Sequence, residues 1–173
     1  MLFSVFSVFS VFQDFAPFRS LLSRATMAIL HDPDTRDAIR SRVQRLTSNA
    51  TRLWGKMTVD QMLWHVSTAL EQPLGRIRFS KPIPFVPKRI VKWALLNMKW
   101  PKGAQTQPEI LVTGEHYSFD EQHRRLLALI DEFTSRPLDG PWPVSDTLGK
   151  MSGRDWSKLQ AIHLDHHLRQ FSL

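Results

Sequence analysis

The chain contains no cysteine. That absence excludes disulfides, a thiolate nucleophile and Cys-ligated zinc, so any metal site must be built from histidine and carboxylate. It is compatible with a reducing cytoplasm, and a cytoplasmic location is the expectation. No apolar run approaches the roughly 20 residues of a spanning helix, which argues against integral membrane insertion. Alternating apolar and polar residues are almost missing, so little β-structure is expected. Charge is missing from Met1 to Val11, where Ser-Val-Phe repeats three times in tandem from Ser4. A secretory signal wants a basic start, yet the first basic residue is Arg19. Residues 1–26 therefore read as a low-complexity extension, and Met27 fits a true start of the folded domain, 27–173.

With 173 residues and 42% hydrophobic content, the chain suits one globular domain with a real core. Asp32-Pro33-Asp34 has the form of an N-cap with proline at the first helical position. Ile39, Val43, Leu46, Ala50 and Leu53 follow at helical spacing. Thr58-Val-Asp-Gln61 is a capping box opening a second helix with Met62, Leu63, Val66, Ala69 and Leu70 on its stripe until Pro73. Ser118-Phe-Asp-Glu121 starts a third, with Leu126, Leu127, Ile130 and Phe133 before Pro137. Ser152-Gly-Arg-Asp155 starts a fourth, through Trp156, Leu159 and Ile162. The fold class expected is all-α: a four-helix bundle whose long crossover, 73–118, lets helices two and three run parallel and carries a short extra helix after Pro87.

The fourth helix ends in His163-Leu-Asp-His-His-Leu-Arg-Gln-Phe-Ser-Leu173. At about 100° per residue, with Trp156 at zero, His163 falls near 340°, His167 near 20°, His166 near 280° and Asp165 near 180°. His163 and His167 thus share a face with Trp156, Leu159, Gln160, Gln170 and Phe171, and Asp165 points away. An i, i+4 histidine pair is how a helix offers a divalent ion two nitrogens. His166 is the alternative to His167, since both cannot point at one ion. His65 borders the apolar stripe of helix two. Alone it reads more readily as a core histidine holding one hydrogen bond than as a ligand. Beside the pair it would complete a three-nitrogen site with open coordination positions, the pattern of a catalytic metal.

The blocks Trp54-Gly-Lys-Met-Thr-Val-Asp-Gln-Met-Leu-Trp-His65, Gly149-Lys-Met-Ser-Gly-Arg-Asp-Trp156 and His163-Leu-Asp-His-His-Leu-Arg-Gln-Phe171 resemble the DinB-like superfamily, in a branch known as a domain of unknown function. The resemblance spans about Asp32 to Leu173. It implies a four-helix bundle with a long crossover that holds zinc, nickel or a similar divalent ion, iron and manganese included, through His65, His163 and His167. It also implies thiol chemistry, since several members are transferases or isomerases using mycothiol or bacillithiol. The usual His-Arg-Gly-Gln ending appears here as His167-Leu-Arg-Gln170, so the resemblance leaves the substrate open. A metal-dependent thiol transferase or hydrolase acting on a small molecule is the reading, with a low-molecular-weight thiol as co-substrate. A bundle that binds metal or a small molecule without turnover, or that dimerises, is the second. Ligating imidazoles need an acceptor on their second nitrogen, and Gln61, Gln160 and Gln170 are candidates. Glu115, His116, His123 and His31 read as loop or boundary residues.

Acids, finally, are missing between Pro73 and Gly103, where Arg76, Arg78, Lys81, Lys88, Arg89, Lys92, Lys99 and Lys102 give +8 against a total of +7. The rest of the chain therefore nets −1, and the basic character lies wholly in the crossover. In a helix after Pro87, Lys88, Lys92 and Lys99 would take one side and Ile90, Trp93, Ala94 and Met98 the other. Lys88, Arg89 and Lys92 are then candidates for a lid or an anion-binding patch, and the piece also suits an anionic lipid surface. Nucleic acid is a rival partner through Phe79, Phe85, Trp93 and Trp100. No recognised DNA- or RNA-binding motif supports it.

Overall fold

The structure, a computed structural model, describes residues 29–79, 86–103 and 106–173. The extension 1–26, the proposed start at Met27, and Lys81 and Phe85 of the crossover lie outside those residues. Among the described residues there are five α-helices, α1 Pro33–Gln44, α2 Val59–Glu71, α3 Lys88–Asn97, α4 Phe119–Ser135 and α5 Gly153–Gln170, with a 3-10 turn at Pro108–Ile110. Among the described residues there is no strand, and an isolated bridge joins Ser145 to Gly149.

Local sequence sets the helix starts. Asp32 accepts the amide of Asp34 at 3.0 Å and Pro33 fills the first position of α1. The Thr58 amide donates to Gln61 Oε1 at 2.9 Å. Ser118 Oγ accepts the amide of Glu121 at 3.4 Å. On α5 the Asp155 amide donates to Ser152 Oγ at 3.1 Å and the Ser152 amide returns to Asp155 Oδ2 at 3.0 Å. Caps of this kind contribute about 1 kcal/mol each.

Cross-links between helix ends fix the directions. Asp60 takes the amide of Tyr117, just before α4, while Glu71 at the other end of α2 pairs with Arg125 of α4. Beyond α2, Leu74 accepts from Arg136, which follows α4. So α2 and α4 run parallel, which the long crossover allows. Val43 near the end of α1 accepts from His123 early in α4, and His31 before α1 reaches Arg136. Hence α1 opposes α4. His65 meets His163, whereas Ala69 meets Gln160, so α5 opposes α2.

The core is continuous through all four long helices, with Val43, Leu63, Leu70, Leu126, Ile130, Phe133 and Trp156 each at 1% exposure or less. Burying a side chain of this size contributes roughly 1.5–3 kcal/mol. On α2, Gln61, Met62, Leu63 and every residue from His65 to Leu70 are buried, because α4, α5 and the crossover all pack on it.

Two expectations need correction. Helix one does not continue through Ala50 and Leu53: it ends at Gln44, and Leu53 is 68% exposed. Thr47, Ser48 and Asn49 intervene, and the Thr47 hydroxyl donates to Asn49 Oδ1 at 2.6 Å. Short polar side chains that bond locally compete with helix propagation. The crossover helix is also rotated from the expected face. Val91 and Leu96 are buried and Leu95 is partly so, whereas Ile90 and Trp93 are exposed. Lys92 turns inward instead, donating to Asp155 Oδ2 and to the Lys150 carbonyl, both at 3.0 Å. An acid at the start of α5 draws the lysine across, and the apolar neighbours turn with it.

Candidate metal centre

Three imidazoles from two antiparallel helices converge midway along the bundle. The candidate ligand nitrogens of His65, His163 and His167 all lie within 4.8 Å of one another, and all three residues are buried. His65 Nε2 and His163 Nε2 are 3.0 Å apart. Nitrogens bound about 2.0–2.1 Å from one tetrahedral ion stand roughly 3.3–3.4 Å from each other, so this spacing is close to that of a shared cation. The His163–His167 ring centroids are 4.9 Å apart and those of His65 and His167 are 4.8 Å apart.

Hydrogen bonds choose the tautomers. His65 Nδ1 lies 2.8 Å from the Ile110 carbonyl, which can only accept. Nδ1 therefore carries the proton and the lone pair is on Nε2. His167 Nδ1 lies 3.1 Å from Gln170 Oε1. The same amide donates from Nε2 to the Trp54 carbonyl at 2.7 Å, which fixes which end of Gln170 is the acceptor. His167 accordingly donates from Nδ1 and keeps its Nε2 lone pair. Two imidazoles are thus held in the ligand tautomer by backbone carbonyls, one directly and one through a glutamine.

Burial keeps the cluster neutral. It lowers the His65 pKa against the opposing effect of the Ile110 bond. It takes His163 well below 6.5, helped by repulsion from His167 and His65. His167 is lowered to about 3, again chiefly by burial and then by His65. Neutral imidazole is the form that binds a metal.

The neighbouring candidates are placed differently. His166 stays outside the three-His group: it is half-buried, edge-on to Trp54 at 4.8 Å and beside Trp100 at 5.6 Å. Asp165 turns away, as the helical phase predicts, and pairs with Arg42 at 2.7 Å and Arg169 at 2.8 Å. Of the three glutamines, Gln170 alone bonds to a histidine of the cluster. Gln61 is occupied by the α2 cap and donates to the Glu115 carbonyl at 2.7 Å. Gln160 donates to the Ala69 carbonyl at 3.4 Å. Lys88, Arg89 and Lys92 do not form one anion site, because Lys92 is committed to Asp155 while Lys88 and Arg89 face solvent. Glu115 and His116 are exposed loop residues.

A family model described as the DinB superfamily matches residues 33–171, nearly the whole described chain and both histidine-bearing helices. The chain belongs to the DinB superfamily. No individual curated protein and no solved structure matches it.

Three contributors to this DinB centre escape a reading of side-chain motifs. Ile110 acts through its backbone carbonyl, which no residue type advertises. Gly55 has φ +83°, and a Cβ there would come 2.1 Å from Gln170 Nε2. It is the gap that lets Gln170 reach Trp54; a glycine directly after Trp54 in the first motif block was its one signal. Trp100, weighed as a base-stacking residue, instead packs against His163 with ring centroids 5.4 Å apart. Its indole donates to the Leu95 carbonyl at 2.9 Å, which ties the end of α3 to the site.

Proposed function

We propose that this DinB-superfamily protein holds a divalent metal through His65, His163 and His167 and uses it to activate a thiol or a water for attack on a small electrophile. The observation that carries the reading is the pair of Nε2 atoms 3.0 Å apart in a cluster where the outer nitrogens of His65 and His167 are already committed to acceptors. Three neutral nitrogens suit zinc or nickel, and iron or manganese less closely. A bound ion of this kind supplies Lewis acidity, lowering the pKa of a coordinated thiol or water so that a nucleophile exists at neutral pH.

The protein's own residues do the positioning. Ile110 fixes the plane of His65, and Gln170 fixes that of His167. Trp100 keeps water off one side of His163. Asp165 is drawn away by Arg42 and Arg169, so no carboxylate joins the three-His group among the described residues. A thiol enters the proposal through the superfamily resemblance, and a hydrolytic water is the other nucleophile the same centre would serve.

Elemental analysis of untagged protein tests the reading. We expect about one zinc, nickel, iron or manganese per chain, falling by at least about tenfold in a His65→Ala, His163→Ala double variant, since two of three ligands are then gone. Metal content unchanged by that double substitution would overturn it. Turnover with thiol donors and electrophiles, lost in step with the metal, separates the enzyme from a binder without turnover.

A further inference from the structure

The outward face of α3 is left unused by the metal centre. On it Ile90 is 49% exposed and Trp93 59% exposed. They stand one turn apart, with Arg89 exposed beside them, Asn97 exposed at the last position of α3 and Lys99 exposed two residues past its end. The opposite face is occupied: Val91, Leu95 and Leu96 pack on the bundle, and Lys92 is tied to Asp155. This is a docked helix presenting a second, cationic and apolar face.

Charge identifies the occupant of that face. No acid lies between Pro73 and Gly103, and the carboxylates that meet Arg76, Arg78 and Lys92 come from Glu132, Asp146 and Asp155 outside that stretch. Neither Arg89 nor Lys99 takes part in the ion pairs found among the described residues. Lys88 and Arg89 also sit in the first turn of α3, which holds no acid. Cations there oppose the helix dipole, so their placement does not serve the stability of the helix. An exposed tryptophan and isoleucine with Arg89 beside them and Lys99 just past the helix end match the interfacial region of an anionic bilayer, where indole sits at headgroup depth. A nucleic acid fits less well. Of the four aromatic rings that could stack bases, Phe79 is buried, Trp100 is packed on His163, and Phe85 is outside the described residues. Trp93 alone is presented, and Ile90 has no use on a phosphate backbone.

We propose that the outward face of α3, centred on Ile90 and Trp93 and flanked by Arg89 and Lys99, docks the protein peripherally on anionic membrane surfaces. It would lie on the interface and not cross it, in keeping with the lack of any described helix long and apolar enough to span a membrane.

Vesicle sedimentation with the full chain decides the matter. The probes are phosphatidylcholine vesicles, the same vesicles with about one third phosphatidylserine, and a single-stranded oligonucleotide. Binding to the anionic vesicles is expected to be at least about tenfold tighter than to phosphatidylcholine and to weaken steeply with salt. An Ile90→Ser, Trp93→Ser variant and an Arg89→Glu, Lys99→Glu variant should each lose about tenfold or more. Both sets of side chains are exposed, so the melting temperature and metal content should match the wild type. Absence of a preference for anionic vesicles would overturn the proposal. So would binding that survives both variants, which places the contact elsewhere. Oligonucleotide binding as tight as vesicle binding and indifferent to Ile90 and Trp93 would overturn it in favour of a generic polyanion surface.

Discussion

Gln170 carries two obligations with one amide, accepting from His167 and donating to Trp54. It meets both because Gly55 leaves the space above the Trp54 peptide empty. Gly55→Ala would place a methyl group 2.1 Å from the Gln170 nitrogen at a φ of +83°. The glutamine must then move, and His167 loses the acceptor that fixes its tautomer. We expect metal affinity to fall about 10–100-fold, the usual effect of losing an outer partner of a ligand, and a similar fall for Gln170→Leu. Competition with a chromophoric chelator measures it. Affinity unchanged in both variants would mean that the glutamine does not orient His167. Residue by residue, the histidines were legible because i, i+4 spacing is a local property and because a capping box put His65 on a definite helix. Ile110 was not, since its contribution is a main-chain oxygen delivered from the far end of the crossover.

At the level of elements, α3 and α5 are joined by Asp155. Its carboxylate caps the start of α5 by taking the Ser152 amide and also receives Lys92 of α3. The acid is about a quarter exposed, so the ion pair with Lys92 is screened and worth under about 1 kcal/mol, whereas the cap is worth about 1 kcal/mol. Asp155→Ala should therefore lower unfolding free energy by roughly 1–2 kcal/mol, and Lys92→Met by less than about 1 kcal/mol. Urea denaturation gives both values, and equal losses from the two would show that the cap contributes nothing. The helix starts were readable because their caps lie within four residues of sequence. The end of α1 and the facing of α3 were not: apolar spacing continues past Gln44 through Leu53, and the partner that turns Lys92 inward is sixty-three positions away. Periodicity assigns a helix a stripe, but a distant acid can decide which stripe is covered.

For the molecule as a whole, His31 is the point where three elements meet. Its Nδ1 lies 2.8 Å from Ser157 Oγ on α5 and its Nε2 lies 3.0 Å from the Arg136 carbonyl beyond α4, while its ring packs edge-on to Phe133. Burial lowers its pKa below 6.5, and the Arg136 bond resists only partly. The unfolded chain thus binds a proton more readily than the fold does. The resulting stability is fully present above pH 6.5 and is lost as pH falls from there through the lower folded-state value. His31→Gln should be less stable near neutrality, and its stability should fall less steeply below pH 6.5 than that of the wild type. Parallel curves from thermal melts across that range would exclude His31 as the titrating group.

His65 and His163 approach within 3.0 Å although ninety-eight positions separate them. Two nitrogens of the cluster belong to α5 and come into register as soon as that helix forms. The third arrives when α2 docks, after a long loop has closed at an entropic cost that delays such pairings in folding. An incomplete fold therefore offers an ion a two-point hold and the finished one a three-point hold. Under the proposed three-His coordination, tight capture would date the end of folding, and the ion would select finished chains over unfinished ones.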